Sequence, residues 1–129
     1  MGKQQASVPG FVVIVIDDDV AVRNSLKFSL EVEGFTVRSY ATGVELPTAE
    51  DLAPCSCLVV DQNMPGMNGL ELIALLRVRQ LAAPAILITS NPSLSLRERA
   101  RAAGVPIVEK PLLGNALIDK IYDVVEGRD

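Results

Sequence analysis

The sequence predicts an α/β fold built on a single parallel sheet, and three observations lead there. Short β-branched apolar runs alternate with longer segments that carry helical stripes, five of each along the 129 residues. The runs are continuously apolar, not alternating, which is the pattern of strands covered on both faces. The connections are short and rich in Pro, Gly and acids, with no linker and no internal repeat.

Phe11 to Ile16 is the first strand. A helix follows from about Val20 to Glu33, with Val22, Leu26 and Leu30 on one stripe and Gly34 as its stop. Phe35 to Tyr40 returns as a strand. Thr42 to Asp51 reads as helical, with Pro47 placed where it breaks or kinks the helix. Cys57 to Val60 is the third strand, and Asp61 to Asn68 forms a loop. Leu70 to Gln80 is a helix that buries Leu72, Ile73 and Leu76. Ala85 to Ile88 is the fourth strand, ending in Thr89-Ser90-Asn91-Pro92. The next helix, from about Ser93 to Ala103, stops at Gly104. Pro106 to Glu109 is the fifth strand and Leu112 to Glu126 the last helix. Right-handed crossovers then give a doubly wound, flavodoxin-like (βα)5 sheet of order 2-1-3-4-5. Residues 1–10 are expected to form a flexible arm, 11–126 one domain and 127–129 a short tail, with no second domain after it.

Apolar residues make up 49% of the chain and charged residues 22%, so it is neither disordered nor membrane-spanning material. No apolar stretch approaches the roughly 20 residues of a bilayer span. Met1 to Pro9 lacks the apolar core of a secretory signal, so a cytoplasmic location is expected. The net charge of −4 and the absence of a Lys/Arg run argue against direct nucleic-acid binding. Arg97, Arg99 and Arg101, with Glu98 among them, read as a solvated helix face.

There is no histidine, and the cysteines are Cys55 and Cys57. That set cannot supply a zinc site or a His-activated nucleophile. Taken as strand positions i and i+2, the two thiols share a face, and a disulfide between them is awkward. Both are expected to be small core residues in a reducing compartment.

In sheets of this kind ligands bind beyond the carboxyl ends of the strands, where the strand order reverses. Asp17, Asp18 and Asp61 are delivered there, beside the turn-rich segment Gln62-Asn63-Met64-Pro65-Gly66. Close carboxylates repel unless a cation sits among them, and Mg²⁺ suits oxygen ligands of this number. Asp19 is explained as a cap on the following helix. Lys110 is a candidate counter-charge for an anionic group on Asp61, and Thr89 a candidate hydroxyl donor to it. No Gly-rich nucleotide loop occurs, which favours covalent phosphorylation of a carboxylate, with Asp61 as nucleophile. Asp17-x-Asp19 also loosely resembles the haloacid-dehalogenase motif; a phosphatase using Asp17 would survive Asp61→Ala. A pure interaction module, which would show no Mg²⁺ affinity, is the remaining alternative.

Four segments in order resemble the receiver domain of two-component response regulators. They are Val13-Ile14-Val15-Ile16-Asp17-Asp18-Asp19 with Arg23, Asp61 to Gly69, Ile88-Thr89-Ser90 and Glu109-Lys110-Pro111. The resemblance implies that Asp61 accepts a phosphoryl group from a phosphohistidine on a sensor histidine kinase or phosphotransfer protein. It implies that Asp18, Asp61 and the backbone carbonyl of Asn63 hold Mg²⁺ directly, with Asp17 acting through water. Thr89 and Lys110 would bind the phosphoryl oxygens, and the Lys110–Pro111 bond would be cis. The protein would catalyse only its own phosphorylation and dephosphorylation, and would switch a downstream protein partner or a homodimer. The face for that switch is the fourth helix, fifth strand and fifth helix. Family members carry Tyr or Phe where this chain has Ile107, so the aromatic swing coupled to Thr89 is not expected in the usual form.

Overall fold

The computed structural model describes residues 10–52, 54–112 and 114–127. Five strands, β1 (Val12–Ile16), β2 (Thr36–Tyr40), β3 (Cys57–Asp61), β4 (Ala85–Thr89) and β5 (Ile107–Glu109), form one parallel sheet of order β2-β1-β3-β4-β5. The helices are α1 (Val20–Glu33), the short α2 (Ala49–Leu52), α3 (Gly69–Val78), α4 (Leu94–Ala102) and α5 (Ala116–Glu126). Both the strand order and the alternation are as the sequence predicts. Most of the expected N-terminal arm and the last two residues of the expected tail lie outside the described residues.

Alternate strand residues feed two separate cores, which is why the runs are apolar throughout. Ile14, Ile16, Leu58, Val60 and Leu87 pack with Leu72, Ile73 and Leu76 of α3 and Leu96 of α4. Val13, Val15, Val59, Ile86 and Ile88 pack on the other side with Leu26 and Leu30 of α1 and Leu117 and Ile121 of α5. Each α1 end has its own device. Asp19 accepts from the N–H groups of Ala21 and Val22, and Gly34 closes the helix in the left-handed region at φ 113°.

Register sets the site. Ile16 is level with Val60, Asp61 with Ile88, and Thr89 with Glu109. Asp17, Asp61, Thr89 and Lys110 therefore emerge at one edge.

Three sequence expectations need correction. The helix expected over Thr42 to Asp51 is instead a 3₁₀ turn, Gly43–Glu45, followed by the one-turn α2. Leu46 is extended at φ −67°, ψ 141°, because the ring of Pro47 excludes the helical conformation of the residue before it. The last helix starts at Ala116 and not at Leu112, since Gly114 sits at φ +64°, outside the right-handed helical region. Cys55 and Cys57 do not share a face. The Cys55 N–H bonds to the Leu52 carbonyl as part of the turn after α2, two positions before β3 begins, so the strand alternation does not reach it. Cys55 packs in the α3-side core and Cys57 in the α1-side core, both as free, buried thiols. Burial raises the pKa of each. Among the described residues, no helix is long and apolar enough to cross a membrane.

Candidate functional site

Asp61 closes β3 and is 2% exposed, while Asp17 follows β1 and is fully buried. Asp18 next to it is exposed. A carboxylate oxygen from each of the three lies within 4.8 Å of the others. Lys110, at the end of β5, crosses to them. Its Nζ donates to Asp61 Oδ1 at 3.2 Å and lies 3.5 Å from Asp17 Oδ2. The sequence-predicted acids and lysine thus converge, and Lys110–Pro111 is cis as the resemblance implied.

The two carboxyl oxygens of Asp17 have different surroundings. Oδ1 accepts from the Asp19 N–H at 2.9 Å. Oδ2 is buried with no hydrogen-bond partner, and the lysine contact is an ion pair at the edge of reach. The Asp17 backbone is held separately, its carbonyl accepting from Arg23 Nη1 at 2.7 Å. A buried, unpartnered carboxylate oxygen is costly to leave bare. A hard cation among three carboxylates would satisfy it, so the residues present fit Mg²⁺.

The electrostatics agree. Burial, and then the neighbouring Asp17 charge, raise the Asp61 pKa above its ordinary value, against the lowering pull of the Lys110 ammonium. Burial pulls Lys110 downward, but hydrogen bonding and charge from Asp61 and Asp17 outweigh it and hold the ammonium above its usual value. One ammonium faces three carboxylates, and the pocket remains short of positive charge.

Thr89 ends β4 and is buried. Its hydroxyl accepts from the Asn63 side-chain amide at 3.3 Å, and the Asn63 N–H reaches Asp61 Oδ1 at 3.4 Å. Sequence reading assigned only the backbone of Asn63; the side-chain contact to Thr89 was missed, because it spans 26 positions and carries no local pattern. Gly69 was likewise a bare motif match. A Cβ there would lie 2.5 Å from the Asp61 carbonyl oxygen and 2.8 Å from Leu87 Cδ1, so the start of α3 packs directly on the Asp61 backbone. Asp19 caps α1, as expected from its position ahead of the helix. Ile107, where the family carries an aromatic ring, is partly buried against the α3-side core.

Residues 13–122 match the family model described as the response regulator receiver domain. The chain is 35% identical over 124 residues to the C4-dicarboxylate transport transcriptional regulatory protein DctR of Rhodobacter capsulatus, covering 92% of this chain and 63% of that one. It is 32% identical over 114 residues to the transcriptional regulatory protein FixJ of Bradyrhizobium diazoefficiens, covering 88% of this chain and 56% of the relative. The chain therefore spans somewhat over half the length of these two. The crystal structure of FixJ-N superposes with a TM-score of 0.80 at 29% identity, over 95% of this chain and 98% of that one. This chain belongs to the response regulator receiver domain family, and so to two-component signalling.

Proposed function

We propose that this receiver accepts a phosphoryl group on Asp61 from a phosphohistidine of a sensor histidine kinase or phosphotransfer protein, with Mg²⁺ as cofactor. The observation that carries this is the buried Asp61 carboxylate held 3.2 Å from Lys110 within a three-acid cluster. A carboxylate oxygen of Asp61 attacks phosphorus, the P–N bond breaks, and its electron pair returns to the imidazole nitrogen. An acyl phosphate remains on Asp61. The Lys110 ammonium and the Thr89 hydroxyl are the donors offered to the phosphoryl oxygens, and Thr89 reaches them by leaving Asn63. Asp18, Asp61 and the Asn63 backbone carbonyl would hold Mg²⁺, with Asp17 acting through water. When bound, the ion supplies charge neutralisation for the acids and the transferring group.

Phosphorylation replaces the single charge of the Asp61 carboxylate with a phosphoryl group that carries roughly −1.5 to −2 at neutral pH. Movement of Thr89 toward that charge shifts an existing equilibrium at the α4–β5–α5 face, where a downstream protein or a second copy docks. With Ile107 in place of a ring, that shift runs through the β4–α4 loop and not through an aromatic swing. The protein acts in the cytoplasm, contacts neither nucleic acid nor membrane directly, and catalyses only its own phosphorylation and dephosphorylation. The test uses a small acyl phosphodonor with and without Mg²⁺. An acid-stable, base-labile label is expected only with Mg²⁺ and is absent from Asp61→Asn; equal labelling of that variant refutes the proposal.

A further inference from the structure

We infer that Gln62 is a positioning residue for this site, acting through its side-chain oxygen on the first turn of α3. The inference rests on the reading of Asp61 and Asn63 as the residues that hold Mg²⁺. A helix leaves its first N–H groups without intrahelical partners. In α3 the Glu71 N–H is taken by the side chain of Asn68, within a capping box. The other two go to a single residue. The Gly69 N–H donates to the Gln62 carbonyl at 3.1 Å, and the Leu70 N–H donates to Gln62 Oε1 at 2.9 Å. The Gln62 N–H in turn donates to the Ile88 carbonyl at 2.9 Å. Gln62 is 7% exposed, so one buried residue ties the end of β3 to β4 and to the start of α3.

Its place in the chain gives this clamp its meaning. Gln62 stands between Asp61 and Asn63, and α3 starts in contact with the Asp61 carbonyl, leaving no room even for a methyl group at Gly69. Without the side-chain oxygen, the buried Leu70 N–H is unsatisfied and the helix start must shift to recover a partner. Any such shift is transmitted to Asp61 through the Gly69 contact, and to Asn63 through the loop it closes. Groups that hold a metal ligand in place without touching the metal are worth about 10–100-fold in affinity when removed.

The experiment titrates Mg²⁺ calorimetrically into the native chain, Gln62→Met and Gln62→Glu, and follows hydrogen exchange of the Leu70 amide in each. Methionine keeps the length without a strong acceptor, whereas glutamate keeps an oxygen where an anion also suits the helix N-terminus. Gln62→Met is expected to weaken Mg²⁺ binding at least about tenfold and to speed Leu70 exchange, with the amides of central β4 unchanged. Gln62→Glu is expected to keep both near native. Native affinity in Gln62→Met overturns the inference, and so does a Gln62→Glu variant that loses Leu70 protection, which decides the matter even if methionine prevents folding. A native chain without Mg²⁺ affinity would refute the site reading as well; a native chain that binds while Gln62→Met binds equally refutes the Gln62 role alone.

Discussion

Two ion pairs at the carboxyl end of β5 show why only one of them makes a site. Arg97 of α4 pairs with Glu109, and both side chains are about half exposed. Lys110, one residue further on, pairs with Asp61 and Asp17, whose side chains are 3% and 0% exposed. The first pair exchanges water for a partner of equal quality and is worth about 0–1 kcal/mol. In the second the carboxylates have given up their water, carry surplus negative charge, and leave Asp17 Oδ2 without a hydrogen bond. A pocket left in that condition gains from a cation or from a phosphoryl group that engages Lys110. The exposed pair gains nothing.

The comparison breaks first where packing holds the buried pair in register. Gly69→Ala drives a Cβ into the Asp61 carbonyl, a backbone atom that cannot swing aside, and is expected to cost about 3 kcal/mol in denaturant unfolding. Next comes Lys110→Met, which leaves the buried carboxylates without their ammonium. It should cost about 2 kcal/mol at neutral pH without Mg²⁺, less than the roughly 3–5 kcal/mol of a fully buried pair because Lys110 keeps part of its side chain in water. Asp61→Asn goes the other way. A carboxyl whose folded pKa is raised binds its proton more tightly when folded, so its ionisation removes stability as pH rises from the unfolded pKa through the folded one. The variant is expected to melt a few degrees above the native chain at neutral pH without Mg²⁺, the gap closing as pH falls below the ordinary carboxylate range. Arg97→Ala is the smallest change, expected within about 1 kcal/mol of native. A larger loss there than in Lys110→Met would reverse the comparison.

How much of this was legible in the sequence follows from the range of each signal. Continuous apolar runs ending in Asp17, Asp61 and Lys110 gave the sheet, its order and the edge where those groups meet, because strand periodicity and crossover handedness are local or general rules. Pro47 was read correctly as a breaker, but not that Leu46 would be extended and the helix reduced to one turn. Cys55 was misplaced by treating it as a strand residue when it belongs to the turn after α2. The contacts of Gln62 with Leu70, of Asn63 with Thr89 and of Gly69 with the Asp61 carbonyl were out of reach for another reason. They depend on side chains meeting across the fold, and a polar residue beside a Pro-Gly turn reads as solvent-facing until the helix is seen to lie over it.

The most direct measurement locates the acyl phosphate. The chain is phosphorylated with a small phosphodonor and Mg²⁺, reduced with borohydride, and mapped by peptide mass spectrometry, since reduction converts a phosphorylated aspartate to homoserine. Homoserine at residue 61, lost without Mg²⁺, is the expected result. Homoserine at residue 17 or 18, or a phosphorylated chain with an unmodified residue 61, would contradict it.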